Sequence, residues 1–441
     1  MNKLFTFFAL FGVFYAGAQT LCDTGRFAED VFENVTVTSN VAYGQNTSWA
    51  GSNITLYFDF YEPAADMMEA RPLIIWVHGG SFLGGSRSDQ DMIELSNRFA
   101  KKGYACASIS YRTGFFPIDS TNAVRAVVRA TQDLKAAIRY FYMDASTNDT
   151  YKIDTNRIFI GGTSAGAITA LHVAYLNEEC ELYDYLTAAQ QTALGGLEGN
   201  SGNPGYSTNV QGVLNGAGAL ARYSWIDLSA NNIPLASVHG TADNVVTYNR
   251  GLVNPGIPLM YLDGSRMLHE RACALDIENQ LYTFNGAGHV PYIGTSATAQ
   301  AFMDTTVNFY RDFLVQQLGC TQAALQPANA WAQTASLYQV DYCDGSPVNE
   351  VCGTVSIAVE EQAVEWMIYP NPASNQVRID LMMDTSSKVV ITDISGRVVY
   401  RNNFNNSVID IDISAFTAGT YFVQVYGQEV GYVLSKKLMV E

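Results

Sequence analysis

Four continuous apolar runs constrain the fold of this 441-residue chain more than any other feature. They occupy residues 73–77, 104–110, 157–160 and 235–238. A strand that is apolar at successive positions is buried on both faces, which is typical of a parallel sheet covered by helices. Segments with the apolar spacing of a helix separate these runs, at residues 89–102, 123–141 and 165–176. Strands that alternate with helices predict an α/β fold with a mostly parallel sheet and right-handed crossovers.

Three further segments complete this pattern. Residues 35–38 and 54–58 alternate between apolar and polar positions, which predicts antiparallel strands at one edge of the sheet. Residues 177–209 are rich in Gly, Asn and Ser near their end and predict an insertion that forms part of a lid or a pocket wall.

The composition indicates a folded, acidic protein. Hydrophobic residues make up 48% of the chain and charged residues 15%, so it can bury a sizeable core. The formal net charge is −17, whereas binding to nucleic-acid phosphates needs clustered Lys and Arg. We therefore expect no nucleic acid among the partners.

The first 18 residues have the composition of a signal peptide. Lys3 supplies the positive charge, residues 4–15 supply the apolar stretch, and residues 16–18 (AGA) match a small-x-small cleavage site. An N-terminal membrane anchor is the alternative, although the apolar stretch is short for a spanning helix. Export would permit disulfide bonds.

Seven cysteines follow the signal peptide, and the odd count leaves at least one of them unpaired within the chain. Cys343 and Cys352 flank a short polar loop and are the best local pair. Cys273 with Cys320 is a weaker candidate pair. Cys106 lies inside an apolar run and is expected to be a buried free thiol. No Cys/His spacing indicates a zinc site.

Residues 162–166 (GTSAG) match the pattern G-x-S-x-G. In this pattern the serine lies on a sharp turn between a strand and a helix, and small neighbours let the two elements approach closely. Here an apolar run ends at Ile160 and a helical segment follows Gly166. The N-terminus of that helix would stabilise negative charge that develops beside the serine. The pattern predicts that Ser164 is a catalytic nucleophile; the alternative is a glycine-rich turn without chemistry.

A second glycine-rich motif, residues 78–82 (HGGSF), directly follows the first apolar run. A loop of this kind leaves backbone N–H groups free to point at an oxyanion. We expect the N–H groups of Gly80, Ser81 and Ala165 to form an oxyanion hole, with Gly79 giving the turn its freedom. The histidine that begins the motif is expected to brace the loop rather than to carry a proton.

The two motifs, in this order and on these strands, resemble the α/β-hydrolase superfamily, especially its carboxylesterase and hormone-sensitive-lipase-like branches. Those branches carry H-G-G-G-[FW] before the nucleophile and G-x-S-A-G at it. This chain has Ser81 where many members have a third glycine, which adds a Cβ to the loop but keeps the N–H. The resemblance covers about residues 30–316 and implies a serine hydrolase that needs no metal or organic cofactor.

The family arranges its triad in the order serine, acid, histidine. His289 lies in a flexible loop after the strand-like residues 280–284, where the family places its histidine. His172 falls inside an alanine-rich helix and is expected to be packed or at the surface. His239 is expected to brace the acid loop, and His269, in a polar helix, to lie at the surface.

Asp243 is the best candidate for the acid. It lies in residues 238–246, which look like the family's acid loop after the penultimate core strand. An aspartate there can hold the imidazole in one tautomer and stabilise its charged form. Asp227, Asp263 and Asp276 compete with it, but Asp227 lies before the strand, and the other two lie in a later loop or helix.

The C-terminal residues have a different pattern. From residue 366 short strands alternate with turns, which predicts a small all-β sandwich. Residues 369–373 (YPNPA), 419–423 (GTYFV) and 436–438 (KKL) resemble the type A sorting domain of the type IX secretion system. The resemblance implies export across an outer membrane, usually with removal of this domain; a substrate-binding β-module is the alternative.

The sequence thus predicts a signal peptide (1–18), an α/β-hydrolase catalytic domain (19–318), a linker with the Cys343–Cys352 loop (319–365) and a sorting domain (366–441). The resemblance implies a secreted or cell-surface carboxylesterase with the triad Ser164, Asp243 and His289. Its expected partners are the type IX secretion machinery and a small-molecule or polymer-linked ester, such as a polysaccharide acyl ester or a polyester. Peptide hydrolysis of the prolyl-peptidase type and non-catalytic binding on a hydrolase scaffold remain alternatives.

Overall fold

The computed structural model describes residues 25–227, 233–320, 366–381, 387–393, 398–427 and 433–441. The chain divides into two compact units, one N-terminal and one C-terminal. The signal peptide predicted at residues 1–18 and the predicted Cys343–Cys352 loop lie outside the described residues.

An eight-stranded sheet forms the centre of the N-terminal unit. In order across the sheet the strands are β1 (Val35–Thr47), β2 (Asn53–Pro63), β4 (Ala105–Ile109), β3 (Arg71–Val77), β5 (Ile153–Thr163), β6 (Val213–Gly216), β8 (Leu235–Gly240) and β11 (Asn279–Phe284). β2 pairs antiparallel with both β1 and β4, and every later pair is parallel. The predicted parallel sheet with an antiparallel edge is confirmed.

Helices cover both faces of this sheet. They are α1 (Gln90–Lys101), α2 (Ser120–Ser146), α3 (Ala165–Tyr175), α4 (Ala188–Leu194), α5 (Ser265–Ala274) and α6 (Ala297–Gln317). Leu73, Ile75 and Val77 of β3 share a core with α2 and α3, whereas Ile74 and Trp76 share a second core with α1 and α6. This two-sided burial explains why the strand is apolar at every position. Among the described residues, no helix has the length and hydropathy of a membrane span.

Smaller elements complete the unit. They are a three-stranded antiparallel sheet of β7 (Ala219–Leu220), β10 (Tyr261–Gly264) and β9 (Arg250–Leu252), and the 3-10 helices Glu179–Leu182 and Tyr223–Trp225. The sequence did not predict β6, because two of its four residues, Asn215 and a glycine, are not typical of a buried strand.

Three expectations from the sequence are corrected. His269 is buried rather than at the surface, because its face of α5 packs against β8. Asp263 lies in strand β10, not in a loop or helix. Cys273 is a free thiol, so the candidate pairing with Cys320 is wrong, whereas Cys106 is a buried free thiol as expected.

The C-terminal unit consists of two antiparallel sheets. One contains β12 (Met367–Tyr369), β13 (Gln376–Asp380) and β16 (Val408–Asp412); the other contains β15 (Val398–Phe404), β14 (Ser387–Asp393), β17 (Gly419–Gly427) and β18 (Val433–Val440). Residues from both sheets, such as Val377, Ile379, Val389 and Ile391, share one buried core. Buried and exposed positions alternate along β13 and β16, which is typical of a sandwich. The predicted small β domain is confirmed.

Candidate active site

The candidate site lies where four loops follow the carboxyl ends of parallel strands. The loop of residues 78–82 follows β3, Ser164 follows β5, Asp243 follows β8 and His289 follows β11. Because these strands are parallel, their carboxyl ends lie at the same edge of the sheet, which is where open α/β sheets bind ligands. The fold therefore brings together residues that are far apart in the sequence.

Ser164 occupies the sharp turn that joins β5 to α3. Its backbone has φ 55° and ψ −117°, a conformation that a side-chain-bearing residue adopts only under strain. The turn also brings α3 very close to β3. A Cβ on Gly166 would lie 1.9 Å from the carbonyl oxygen of Val77, and one on Gly162 would lie 2.4 Å from the same oxygen. Both glycines are thus required for the close packing that exposes the serine at the end of the strand.

Ser164, His289 and Asp243 form a continuous hydrogen-bonded chain. Nε2 of His289 lies 2.8 Å from Oγ of Ser164, and Nδ1 of His289 lies 2.6 Å from Oδ2 of Asp243. The carboxylate can only accept, so Nδ1 carries the proton and Nε2 is free to accept the serine proton. The other carboxylate oxygen, Oδ1, accepts the backbone N–H groups of Val245 and Val246 at 2.9 and 3.0 Å.

The environment of Asp243 keeps its carboxyl ionised. Burial alone would raise its pKa, but the contacts with His239 and His289 outweigh burial and hold the pKa well below its ordinary value. The side chain is buried, so this negative charge is little screened by water. A fixed negative charge beside Nδ1 of His289 favours the protonated imidazole that acid–base chemistry at the serine requires.

The loop of residues 78–82 lies directly against the nucleophile turn. A Cβ on Gly79 would be 3.1 Å from the carbonyl oxygen of Thr163 and 3.5 Å from Cβ of Ser164. Gly80 and Ser81 both have positive φ, 107° and 57°. Within residues 25–227 and 233–320, no acceptor is recorded for the N–H groups of Gly80, Ser81 or Ala165. These three donors are therefore available to an oxyanion next to Ser164.

His78 braces this loop from behind. Its ring stacks on Tyr111 with 4.4 Å between ring centres, and Nδ1 lies 2.7 Å from the carbonyl oxygen of Gly79. Burial lowers the pKa of His78, which favours the neutral ring. Its position agrees with the bracing role expected from the sequence.

The competing acids lie in other environments. The carboxylate of Asp263 accepts the backbone N–H of Tyr223 at 2.8 Å and lies 3.4 Å from Nε of Arg250. Asp276 is exposed in the turn that follows α5, and Asp227 follows the 3-10 helix before β8. None of the three forms a recorded contact with His289.

An apolar pocket opens beside Ser164, which the sequence analysis did not locate. One wall is a face of α3 formed by Ala165, Ile168 and His172, and Leu176, which directly follows the helix, continues it. The other lining residues come from the loop before α2, from α2, from the insertion, from the 3-10 helix that ends at Trp225 and from the segment after Asp243. They include Phe115, Val124, Val127, Val128, Leu182, Tyr185, Trp225, Val246, Leu259 and Met260. Leu182 and Tyr185 confirm that the 177–209 insertion supplies part of a pocket wall. The helical spacing of Ile168, His172 and Leu176 was the available signal, but the opposing walls are remote in sequence.

Comparison with known proteins agrees with this architecture. Residues 58–219, which include β3, the 78–82 loop and Ser164, match the BD-FAE family model. The N-terminal unit has an α/β-hydrolase fold, and this segment of it is similar to that family. Residues 367–441 match the model of the secretion system C-terminal sorting domain. The C-terminal unit is therefore a type IX sorting domain, which directs the chain to the cell surface or the medium.

Two curated proteins are similar to part of this chain. Gut esterase 1 of Caenorhabditis elegans is 33% identical over 101 residues, which are 22% of this chain and 17% of that protein. Lipase 2 of Geotrichum candidum is 26% identical over 129 residues, which are 27% of this chain and 22% of that protein. The matched segments thus span only about a fifth of the length of either protein.

Two solved structures also resemble the chain. The esterase 2 of Thermogutta terrifontis, phosphorylated by paraoxon, has 20% sequence identity and a TM-score of 0.47, and the match covers 66% of this chain and 97% of that one. A truncated carbohydrate esterase from gut microbiota has 20% identity and a TM-score of 0.44, with coverage of 66% and 99%.

Proposed function

We propose that this protein is a secreted serine carboxylic-ester hydrolase that works through an acyl-enzyme. Ser164 is the nucleophile, His289 the general base and acid, and Asp243 the residue that orients His289. The observation that carries this proposal is the unbroken hydrogen-bonded chain from Ser164 Oγ through His289 to Asp243, at the mouth of an apolar pocket.

Acylation begins when Oγ of Ser164 attacks the ester carbonyl carbon and a C–O bond forms. The serine proton passes to Nε2 of His289, 2.8 Å away, and the resulting imidazolium is stabilised by Asp243. When the tetrahedral intermediate collapses, the bond to the alcohol oxygen breaks and that oxygen takes the proton from Nε2. Water then repeats the sequence on the acyl-enzyme and releases the acid.

Three backbone donors stabilise the tetrahedral intermediate in this mechanism. The negative oxygen would lie among the N–H groups of Gly80, Ser81 and Ala165, of which Ala165 is the first residue of α3. The positive end of the α3 dipole points at the same place. Ser81 supplies a backbone N–H as glycine would, so replacement of the third glycine keeps the donor.

The pocket favours an apolar acyl group. His172 follows Ser164 by eight residues on α3, so its position lies about 12 Å from the nucleophile along the helix axis. Burial lowers the pKa of His172 to about 4, which leaves this end of the pocket uncharged at neutral pH. An extended acyl chain of about six carbons would reach past Ile168 and stop short of His172.

Export makes a polymer-linked ester a suitable substrate. The sorting domain directs the chain out of the cell, where large polysaccharide esters and polyesters are accessible. The apolar pocket would hold the acyl group, while the alcohol side, which carries the polymer, would remain outside it.

Labelling with a fluorophosphonate tests the proposed function directly, because this reagent modifies only activated serine hydroxyls. We expect one probe per folded chain, on the peptide that contains Ser164, and hydrolysis of p-nitrophenyl esters by the unlabelled protein that is lost after labelling. Heat-denatured protein is the control and should not react. Folded protein that neither reacts nor hydrolyses any ester would instead be a binding protein on a hydrolase scaffold, and faster cleavage of peptides than of esters would indicate a peptidase.

The pocket predicts a preference in acyl chain length. Ile168→Phe should narrow the pocket one turn from the nucleophile, because Ile168 lines it and is buried. Each buried methylene contributes about 0.8 kcal/mol, so kcat/KM of the wild type should rise about 10²-fold from acetate to hexanoate. Ile168→Phe should remove most of that gain and leave acetate hydrolysis within about twofold. The measurement is kcat/KM for p-nitrophenyl esters from C2 to C16.

Leu176→Phe is the matched control, since Leu176 directly follows α3, eight residues beyond Ile168, and lines the same pocket further from Ser164. It should keep the gain for hexanoate and affect only longer chains. Equal kcat/KM for acetate and hexanoate in the wild type would show that the acyl group does not enter this pocket.

A further inference from the structure

A second histidine contacts the proposed catalytic acid. Nε2 of His239 lies 2.9 Å from the carbonyl oxygen of Val246 and 3.2 Å from Oδ2 of Asp243. Both of these oxygens can only accept, so Nε2 of His239 carries a proton. Oδ2 of Asp243 also accepts the Nδ1–H of His289 at 2.6 Å. The two imidazole rings therefore present their N–H groups to the same carboxylate oxygen.

His239 begins a series of buried polar side chains that leads away from the acid. Its members, in order, are His239, Ser265, Asn215, Ser237, His269 and Asn279. Neighbouring members are 2.7–2.9 Å apart, and the first five are at most 1% exposed. We call this series the acid-support network.

Matched spacings on a strand and a helix bring the network together. Ser237 and His239 are two residues apart on β8, about 6.6 Å, and so lie on the same face of the sheet. Ser265 and His269 are four residues apart on α5, about 6 Å, and so lie on the same face of the helix. Asn215 of β6 pairs with Ser237 across the sheet. Its amide nitrogen bonds both serines and links the two pairs.

If both histidines are neutral, only one assignment of donors and acceptors gives a proton to every hydrogen bond in the network. The amide nitrogen of Asn215 donates to Ser265 and Ser237, so each serine hydroxyl is free to donate onward. Ser265 then donates to Nδ1 of His239, and Ser237 donates to Nε2 of His269. This assignment leaves the proton of His239 on Nε2. The network thus fixes the N–H of His239 toward Asp243.

We propose that His239 is a positioning residue that shares the negative charge of Asp243 with His289 and so sets the acidic limit of activity. This inference rests on the proposed function. A donor at Oδ2 withdraws part of the charge that would otherwise stabilise the protonated His289. Without it, His289 would hold a proton up to a higher pH, and the base form needed to activate Ser164 would be lost earlier on acidification.

Few other ionisable groups face this pair. Tyr248 packs edge-on against His239 with 5.6 Å between ring centres, and its hydroxyl bonds Thr283 at 2.6 Å. On the other side of Asp243, burial raises the pKa of Tyr292, so that phenol stays neutral. β6, β8 and α5 contribute only the neutral members of the network to this contact. Asp243 is therefore the charge through which His239 acts.

The test compares pH profiles of kcat/KM for p-nitrophenyl butanoate. His239→Phe keeps a planar ring but removes both nitrogens, and it should move the midpoint of the acidic limb upward by about 0.5 pH unit. It should also lower kcat about 10-fold with KM nearly unchanged, because the carbonyl oxygen of Val246 loses the N–H of His239 that holds the acid loop in place. His239→Gln retains an N–H donor at a similar reach and should return the midpoint toward that of the wild type.

His269→Phe is the matched control, since it makes the same replacement at the far end of the network, away from Asp243. It should lower the melting temperature but leave the midpoint unchanged. All rates are normalised by active-site titration, so a fraction of unfolded enzyme does not enter the comparison. Ser265→Ala offers a second route if His239→Phe folds poorly: it removes the donor to Nδ1 and should shift the midpoint in the same direction by a smaller amount.

The outcomes separate this role from the proposed function. An active wild type whose acidic midpoint is the same in His239→Phe and Ser265→Ala overturns the role of His239 alone. A folded wild type without esterase activity overturns the proposed function and this role together. If His269→Phe instead shifts the midpoint of the acidic limb as far as His239→Phe does, the midpoint reports a general loss of fold stability. That result also overturns the role of His239.

Discussion

Ser164→Ala is expected to lower kcat for ester hydrolysis by about 10⁴-fold or more while the fold is retained. The substitution removes Oγ, the atom that forms the acyl-enzyme. Without that covalent intermediate, hydrolysis requires direct attack by water with His289 as general base, which is much slower. Alanine keeps the Cβ that the turn already accommodates at φ 55°. Measurement of kcat on p-nitrophenyl butanoate, with thermal melts of both proteins, checks the prediction.

Ser96→Ala is a suitable control for this experiment. Ser96 is a fully buried serine of α1 whose hydroxyl has no recorded partner among the described residues, so its loss should leave both activity and fluorophosphonate labelling unchanged. Near wild-type turnover by a normally folded Ser164→Ala variant would refute the assignment of the nucleophile. Loss of labelling in Ser164→Ala but not in Ser96→Ala would support it.

The sequence predicted the parts of the fold that depend on local pattern. Residues 73–77 are apolar at each position because a different core covers each face of β3. Five consecutive apolar residues are enough to predict this two-sided burial. Ser164, Asp243 and His289 could be predicted as a triad because each follows a strand-like segment and because the order serine, acid, histidine is that of the family the chain resembles. These signals need no knowledge of which distant residues meet.

The features that the sequence did not predict depend on contacts between distant segments. His269 was expected at the surface because Glu270 and Arg271 follow it, yet its own face of α5 turns toward β8. A signal was present: serine and histidine are two residues apart on β8 and four apart on α5. These spacings indicate a shared polar network only once the strand and the helix are known to pack together. β6 was missed for the same reason, since Asn215 looks polar until its partners are known.

Asp243→Asn is expected to lower kcat by about 10³–10⁴-fold, the scale seen when a triad carboxylate is made neutral. The two N–H groups of Val245 and Val246 favour the amide oxygen at the position of Oδ1. The amide NH₂ would then face Nδ1 of His289 and Nε2–H of His239. His289 would have to accept at Nδ1 and carry its proton on Nε2, the wrong tautomer to receive the proton of Ser164. The measurement is kcat at constant pH near neutrality.

This comparison must be made at known fold stability. The pKa of Asp243 in the folded protein lies below its unfolded value of about 3.9, so its charged form stabilises the fold above that pH. That contribution is lost only as the pH falls through the folded pKa, and the asparagine variant lacks it at neutral pH. We therefore expect a lower melting temperature for Asp243→Asn, and the rate should be corrected by the folded fraction.

Two other aspartates provide matched controls for the assignment of the acid. Asp263→Asn changes a carboxylate that is also buried and hydrogen-bonded, but by the N–H of Tyr223 rather than by a histidine. It should lower the melting temperature yet keep kcat per folded molecule within about threefold, since a hydrogen bond lost away from the site affects stability, not chemistry. Asp276→Asn, in an exposed turn, should change neither quantity. Loss of activity in Asp276→Asn or Asp263→Asn, with activity retained in Asp243→Asn, would contradict the assignment of the acid. His289 would then be oriented by another acid, and the loops after β8 and β11 would have a different arrangement during catalysis.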